Sequence, residues 1–215
     1  MLYSGAMEKH MECLYELYCE VREKYLAEKA AKNDPAALCL LGLHRFWGTN
    51  PPEEESCEEA FSLLQKAADL GCGDAYYYLG QFYENGLPPV GGESDTVRKA
   101  KAEECYRLGL TAGSDLAAGA LGRLLAYGQS ENESDKQAGL TLLEKAAKDS
   151  VGDAVVGLLW NRIPRLKDLA GKDGSYSEAS ELAYSTLTCV SKYVDSVNEQ
   201  QALLGIAPPN EKLFP

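Results

Sequence analysis

The stretch LLQKAADLGCGDAYYYLG, at Leu63–Gly80, returns in closely related form as LLEKAAKDSVGDAVVGLL at Leu142–Leu159. The two copies share a pair of leucines, a Lys-Ala-Ala run and a Gly-Asp-Ala step at matching positions. A single copy would fit an ordinary pair of amphipathic helices. Recurrence within one chain indicates that the same structural unit is built more than once.

Two further segments align with this stretch. AEECYRLGLTAGSDLAAGALGRLLAYG at 102–128 is shifted by 42 residues, and AEKAAKNDPAALCLLGLHRFWG at 27–48 is a partial copy. The alignable alanines are spaced by 38, 42 and 37 residues, and they are Ala37, Ala75, Ala117 and Ala154. Unequal spacing indicates that the loops differ in length from one unit to the next, whereas the helices recur in each.

Each unit has the pattern of two amphipathic helices. Small and apolar residues recur at i, i+3, i+4 and i+7, the spacing that puts them on one face of a helix. In the best-matching copy the two stripes are Ala60, Leu63, Leu64, Ala67 and Ala68, followed by Ala75, Tyr78, Leu79 and Phe82. No alternation typical of a β-strand persists in the chain, so we expect helices throughout.

Glycine recurs at two fixed places in these units. One lies within a helix, where glycine is about 1 kcal/mol less favourable than alanine, so we expect a close backbone contact there; these residues are Gly42, Gly80 and Gly122. The other follows a helix, where a left-handed residue ends it; these are Gly48, Gly86 and Gly128. Asp74 and Asp153 stand where N-caps are expected.

The pattern predicts an all-α fold with about four helix-turn-helix repeats. We place an N-terminal helix at 7–32 and assign 1–163 to the repeat array. After Pro164 the repeat pattern weakens, so we assign 164–215 to a C-terminal capping helix, at about 175–197, and an extended tail. The repeats fall at about 35–70, 74–112, 115–149 and 152–163 onward.

The residues Lys66-Ala67-Ala68, Gly71, Ala75, Leu79-Gly80, Tyr83 and Gly86 carry a family resemblance. Their pattern resembles the Sel-one-like repeat (SLR), a relative of the tetratricopeptide repeat, and the resemblance covers about residues 25–163. It implies an α/α superhelix, or solenoid, that acts as a protein-binding scaffold. The last copy departs from the pattern with Leu159 in place of glycine, which is expected of a terminal capping unit.

Composition and charge narrow the classes of partner. The chain has 215 residues, of which 45% are hydrophobic and 25% charged, an ordinary globular balance. Its formal net charge is −12, and no cluster of Lys and Arg is visible, which disfavours nucleic acid or an anionic membrane surface as partner. No run approaches the roughly 20 apolar residues that span a bilayer. The acidity suits either a solvated surface or a basic protein partner.

The cysteines indicate a reducing environment. Seven are present, an odd number, and no two are spaced as CxxC. The first residues show no cationic segment followed by an apolar run, so we expect no secretory signal. We therefore expect reduced thiols and a cytoplasmic protein.

Motifs that carry catalysis are missing from the sequence. His10 and His44 lie in no HExxH arrangement, and the chain has no GxxxxGK[ST] phosphate loop and no GxSxG elbow. The acidic run at 53–55 is interpreted as a solvated loop. We expect no catalytic residue, metal site, cofactor or small-molecule substrate, so the protein is predicted not to be an enzyme.

A candidate binding surface follows from the resemblance. In tetratricopeptide repeats, the helix equivalent to the one with the Leu-Gly pair lines a concave groove. Side chains off the core stripe of that helix include both tryptophans, and Trp, Tyr and Arg dominate interface hot spots. The predicted partner-binding residues are Phe46, Trp47, Tyr77, Gln81, Glu84, Arg123, Tyr127 and Trp160.

Two interpretations of these aromatic residues stay open, and so do two functions. The rings either bind a partner or pack as core beneath the C-terminal helix or a neighbouring repeat. The leading function is a non-catalytic module that binds a peptide or helix of another protein. One version is an inhibitor or immunity protein of a basic partner, a role in which SLR proteins are found. The alternative is a structural or adaptor subunit of a larger assembly.

Overall fold

The described part of the chain is helical throughout. The computed structural model describes residues 21–47, 54–128, 132–172 and 174–203, with backbone alone at Trp47, 54–55 and 199–203. These residues form nine α-helices, one short 3-10 helix and no strand. The predicted all-α class is confirmed.

The helices closely follow the predicted map. Their bounds are 21–30 for the described part of α1, then Pro35–Trp47 (α2), Glu54–Asp69 (α3), Gly73–Asn85 (α4), Asp95–Thr111 (α5), Asp115–Tyr127 (α6), Glu133–Lys148 (α7), Gly152–Ala170 (α8) and Tyr176–Leu203 (α9). The 3-10 helix, Val90–Gly92, lies in the loop between α4 and α5. The predicted helical residues 7–20 lie outside the described part of the chain.

The chain divides into two compact units between Ser114 and Asp115. In the first unit, α2 packs on α3, α3 on α4, and α4 on α5. In the second, α6 packs on α7, and α8 packs on α6, α7 and α9. Both units are therefore built from helical hairpins, the predicted element. The predicted division into a repeat array at 1–163 and a cap at 164–215 stays a prediction.

The hairpins α2–α3, α4–α5 and α6–α7 are each closed by the same type of contact. A glycine in the first helix faces a fully buried large side chain in the second. A Cβ added at that glycine would lie within 3.2 Å of the facing side chain, which leaves no room for it. The pairs are Gly42 with Leu64, Gly80 with Tyr106, and Gly122 with Leu143. The predicted close backbone contact is found at Gly42 and Gly122, which face the carbonyls of Ala60 and Gly139, whereas at Gly80 the close neighbour is the Tyr106 ring.

The turns that follow α1, α3, α5 and α7 also share one conformation. Each contains a residue with a left-handed backbone, and the residue after it donates its N–H to a carbonyl five residues earlier, as in a Schellman motif. One example is the 3.0 Å bond from Cys72 N to Ala67 O. The left-handed residues are Asn33, Gly71, Gly113 and Ser150.

Not every predicted helix end is correct. Gly86 has φ 62° and ends α4 as predicted, but Gly128 is not left-handed, and Gly48 lies outside the described residues. Asp74 and Asp153 are not N-caps, because Cys72 and Val151 hold those positions. Both aspartates lie in the first helical turn, where a carboxylate complements the helix dipole.

The sequence pattern places the last repeat helix at about 152–163, but α8 continues through Pro164 to Ala170, so that predicted end is wrong. Proline has no N–H, and the carbonyl of Trp160 therefore lacks its usual helical partner. Trp160 and Pro164 both lie on the exposed side of α8, where water can bind that carbonyl. A solvent-facing site is where a helix tolerates this loss best.

Candidate functional site

Three predicted partner-binding residues of the first unit surround one buried tyrosine. Tyr106 of α5 is fully buried. Its hydroxyl accepts a 3.0 Å hydrogen bond from Gln81 Nε2 and donates a 2.6 Å bond to Glu84 Oε2. The ring of Tyr77 lies 6.2 Å from the ring of Tyr106 and 4.9 Å from that of Tyr78. Tyr77, Gln81 and Glu84 are all half-buried.

This arrangement gives the polar residues of α4 a structural role. Tyr106 occupies the position that Leu64 and Leu143 hold in the other two hairpins. Unlike leucine, it carries a hydroxyl, and a buried hydroxyl needs hydrogen-bond partners. Gln81 and Glu84 provide them from the preceding helix. Asn85 Nδ2 in turn donates to Gln81 O at 2.9 Å. Whether the same side chains also contact a partner stays a prediction.

The remaining predicted residues of the first unit lie at the end of α2. Phe46 is half-buried, and its ring centroid lies 5.2 Å from that of Phe82, which is 3% exposed. Phe46 thus packs against the core of the first unit. Trp47 ends α2, but its side chain lies outside the described residues.

In the second unit, Tyr127 and Trp160 form an exposed aromatic pair. Their rings meet edge to face, with centroids 5.7 Å apart. The Tyr127 hydroxyl donates a 2.5 Å hydrogen bond to Gly157 O. Burial raises the pKa of Tyr127, which keeps the hydroxyl protonated as that donor. The pair is held in place, yet Trp160 remains 57% exposed and Tyr127 38%.

Trp160 is the centre of a line of exposed apolar side chains on α8. Val156 and Ile163 lie one turn to either side of it, and each is 44% exposed. We call Val156, Trp160 and Ile163 the α8 stripe. Arg123, half-buried, lies one turn before Tyr127 on α6, the helix against which α8 packs. The structure thus brings Tyr127 and Trp160 together.

A second exposed apolar surface, which was not among the predicted sites, lies on α9. Tyr184, Leu187 and Val194 are 77%, 65% and 38% exposed. The inner face of α9 instead uses positions such as Thr186, which is 7% exposed and donates to Leu182 O. Helical spacing could have separated the two faces, because Tyr184 and Leu187 are one turn apart and off the line through Leu182 and Thr186.

Two features of the titratable groups can be stated for the described residues. No group of three or more His, Cys, Asp or Glu side chains there could hold a metal ion. The Cys39 thiol is 4% exposed, and its pKa is raised, chiefly by burial and further by its hydrogen-bonded neighbour Cys72. Such a thiol is a poor nucleophile. Among the same residues, no helix is both long and apolar enough to cross a membrane.

Comparison with known families agrees with the hairpins. The sequence model described as Sel1 repeat matches residues 35–72, 73–114 and 116–150, more than half of the chain. These segments correspond to α2–α3, α4–α5 and α6–α7. The chain belongs to the Sel1-repeat family. Sel1 repeats generally mediate protein–protein interaction and form a non-catalytic class of module. The hairpin α8–α9 follows the third matched segment.

A solved structure supports the fold of this Sel1-repeat protein. The chain is similar to a Sel1 repeat protein from Oxalobacter formigenes, with a TM-score of 0.54 and 23% sequence identity. The similarity covers 77% of this chain and 63% of the other, so the chain spans less than two thirds of that protein's length. At this identity the likeness supports the fold alone. No curated protein matches the chain.

Proposed function

We propose that this Sel1-repeat protein is a non-catalytic interaction module that binds another polypeptide through the α8 stripe and Tyr127. The observation that carries the proposal is the Tyr127–Trp160 pair. A tryptophan whose neighbour is fixed by its own hydrogen bond gives a large contact area with little loss of side-chain entropy on binding. Such rings are typical hot spots of protein interfaces.

The remaining predicted contacts form part of the same proposal. Arg123 lies on α6 beside the pair, and Tyr77, Gln81 and Glu84 form a second candidate surface within the first unit. Phe46 and Trp47, at the end of α2, are further proposed partner contacts of the first unit. We propose that these residues contact a peptide or helix in the groove expected for this family. The Tyr106 hydrogen bonds would hold Gln81 and Glu84 ready for such a contact.

The net charge of −12 supports a basic partner, as for an inhibitor or immunity protein. Opposite charge speeds association, and that gain falls steeply as salt rises. A complex whose association rate is insensitive to salt would contradict this version. The alternative, a structural or adaptor subunit, predicts instead that the isolated chain is poorly soluble or forms oligomers larger than a dimer.

A cytoplasmic location is part of the proposal. Cys39, Cys72, Cys105 and Cys189 are free thiols. Free thiols are kept reduced in the cytosol, whereas secreted proteins generally pair them. Fractionation of cells that express the full chain tests this location.

The proposal is tested by a photo-crosslinking amino acid at position 160, followed by identification of the attached protein. A Trp160→Ala variant should lose the complex while its melting temperature changes little. Tyr25→Ala is the matched control, because Tyr25 on α1 is 58% exposed and Trp160 57%. Retention of the complex by Trp160→Ala would exclude the α8 stripe as the binding surface.

A further inference from the structure

The α8 stripe occupies a position that is covered in the preceding repeat. On α6 the equivalent line begins at Gly119, where an added Cβ would lie 3.0 Å from Val151 Cγ1 and 3.5 Å from Ala154 Cβ. The start of that line is therefore covered by α8 and the residue before it. In the repeat alignment, Gly119 corresponds to Val156 and Arg123 to Trp160. Among the described residues, no helix covers Val156 and Trp160 as α8 covers α6.

The charges on this face of α8 are arranged symmetrically about Trp160. Asp153 lies seven residues before it and Lys167 seven residues after it, which is about two helical turns in each direction. All three residues therefore lie on one line of the helix. Lys167 is exposed, and Asp153 is half-buried and also makes a contact within its own chain. A carboxylate has lone pairs for more than one donor.

We propose that the α8 stripe binds the same stripe of a second copy of this chain, antiparallel and across a two-fold axis at Trp160. This inference rests on the proposed function, since it names the occupant of that surface. In this arrangement Trp160 meets Trp160 of the second copy, and Val156 meets its Pro164. Asp153 faces Lys167 of the second copy twice, once on each side of the axis.

The charge of the surface favours this occupant over a basic protein. The α8 stripe itself is uncharged and is flanked by one acid, Asp153, and one base, Lys167, so this line of α8 carries no net charge to attract a basic partner, unlike the chain as a whole. A second copy, by contrast, complements both ends at once, as an isologous interface requires. A second α8 would cover this exposed face, in the opposite direction to the parallel packing of α8 on α6.

The first test is sedimentation velocity of the full chain over a wide range of concentration. We expect a reversible dimer, and Trp160→Ala should raise its dissociation constant by about 30-fold or more, since a hot-spot ring is lost on both sides. Tyr25→Ala should leave the constant unchanged. A chain that stays monomeric, or a dimer that Trp160→Ala leaves intact, would overturn the inference.

The second test is a charge swap. Lys167→Glu and Asp153→Lys should each weaken the dimer about threefold to tenfold, and the double variant should restore it. The two residues are 14 positions apart on one helix, about 21 Å, so they cannot pair within a chain. Rescue therefore requires a second copy. Lys145→Glu on α7 is the control, because it makes the same change in net charge at another exposed position.

The outcomes separate this inference from the proposed function. A monomer whose position 160 crosslinks to a different protein refutes the dimer and leaves the proposed function standing. A dimer that resists Trp160→Ala but shows no rescue in the charge swap places the interface elsewhere and also refutes the inference. If Lys167→Glu weakens the dimer no more than Lys145→Glu, the antiparallel register is wrong.

Discussion

Gly80 of α4 lies directly against the ring of Tyr106 of α5. A Cβ added at residue 80 would lie 2.7 Å from Cδ1 and 2.9 Å from Cζ of that ring. The ring cannot easily turn away, because its hydroxyl is bonded to both Gln81 and Glu84. The contact is therefore rigid on both sides, unlike the leucine contacts of the neighbouring hairpins.

Gly80→Ala should consequently destabilise the protein. Overpacking of a rigid site costs about 1–3 kcal/mol or more, which exceeds the gain of about 1 kcal/mol in helix propensity. Gly92→Ala is the control, because residue 92 has open space around it and no left-handed backbone. Urea unfolding measures both free energies. Equal stability of the two variants would show that the ring moves aside.

The left-handed turns allow a pair of substitutions with opposite effects. Gly71 has φ 89° and nothing within 4 Å of an added Cβ, so Gly71→Ala adds no clash but forces an L-residue into a left-handed backbone. We expect a loss of about 1 kcal/mol. Ser150 already has φ 60°, and Ser150→Gly should be neutral or stabilising. Thermal unfolding compares them, and a loss in Ser150→Gly as large as that in Gly71→Ala would contradict this account.

The repeat glycines show what the sequence could predict. Gly42, Gly80 and Gly122 recur inside helices despite their low helix propensity, and that alone indicated a close contact. Their partners could not be read in the same way, because the loops within the hairpins differ in length. Leu64 lies 22 residues after its glycine, whereas Tyr106 lies 26 after its own.

The candidate site was only partly predictable for a related reason. Helical spacing placed Tyr127 and Trp160 off the core stripe but left open whether another helix covers them, and only the structure shows that both are exposed. The same pattern gave no sign that Gln81 and Glu84 bind the hydroxyl of Tyr106, since that bond joins two helices more than 20 residues apart in sequence. Pro164 predicted a helix end because local propensity cannot show that the missing bond falls on a solvent-facing side.

Tyr106→Phe tests the hydroxyl network itself. The variant keeps the ring but removes the acceptor of the Gln81 Nε2 bond and the donor of the Glu84 Oε2 bond, and the loss of hydrogen bonds between partly buried groups costs about 1–3 kcal/mol. We expect a loss in that range by urea unfolding. Tyr184→Phe, at a residue 77% exposed, should change stability by less than about 0.5 kcal/mol. Equal changes in the free energy of unfolding for Tyr106→Phe and Tyr184→Phe would mean that the hydroxyl of Tyr106 contributes nothing to stability.

A comparison of two aromatic residues separates surface from core. Phe82 is 3% exposed and touches Phe46 and Phe61, so Phe82→Ala should cost about 3–5 kcal/mol. Trp160→Ala should cost far less, since most of the ring is exposed. Differential scanning calorimetry of both variants measures the difference. A loss of several kcal/mol in Trp160→Ala would identify that ring as core, the interpretation opposed to binding.

The Cys105 thiol gives the chain a predicted sensitivity to alkaline pH. Burial, and to a smaller extent Glu104, raises the pKa of Cys105 to about 11 from an ordinary 9.0, while Lys101 opposes the shift. The folded state thus favours the protonated thiol. The raised pKa of the thiol therefore contributes to the free energy of unfolding in full below about pH 9. This contribution is lost as the pH rises towards 11, by at most about 1.4 kcal/mol per pH unit.

Cys105→Ala should remove this part of the pH dependence. The pKa of other groups, such as Cys39 and Tyr83, is also raised by burial, so the informative quantity is the difference in stability between wild type and variant. Urea unfolding from about pH 8 to pH 10.5 should show wild type losing its advantage over Cys105→Ala as the pH rises. A constant difference across that range would mean that Cys105 ionises as readily in the folded protein as in the unfolded chain.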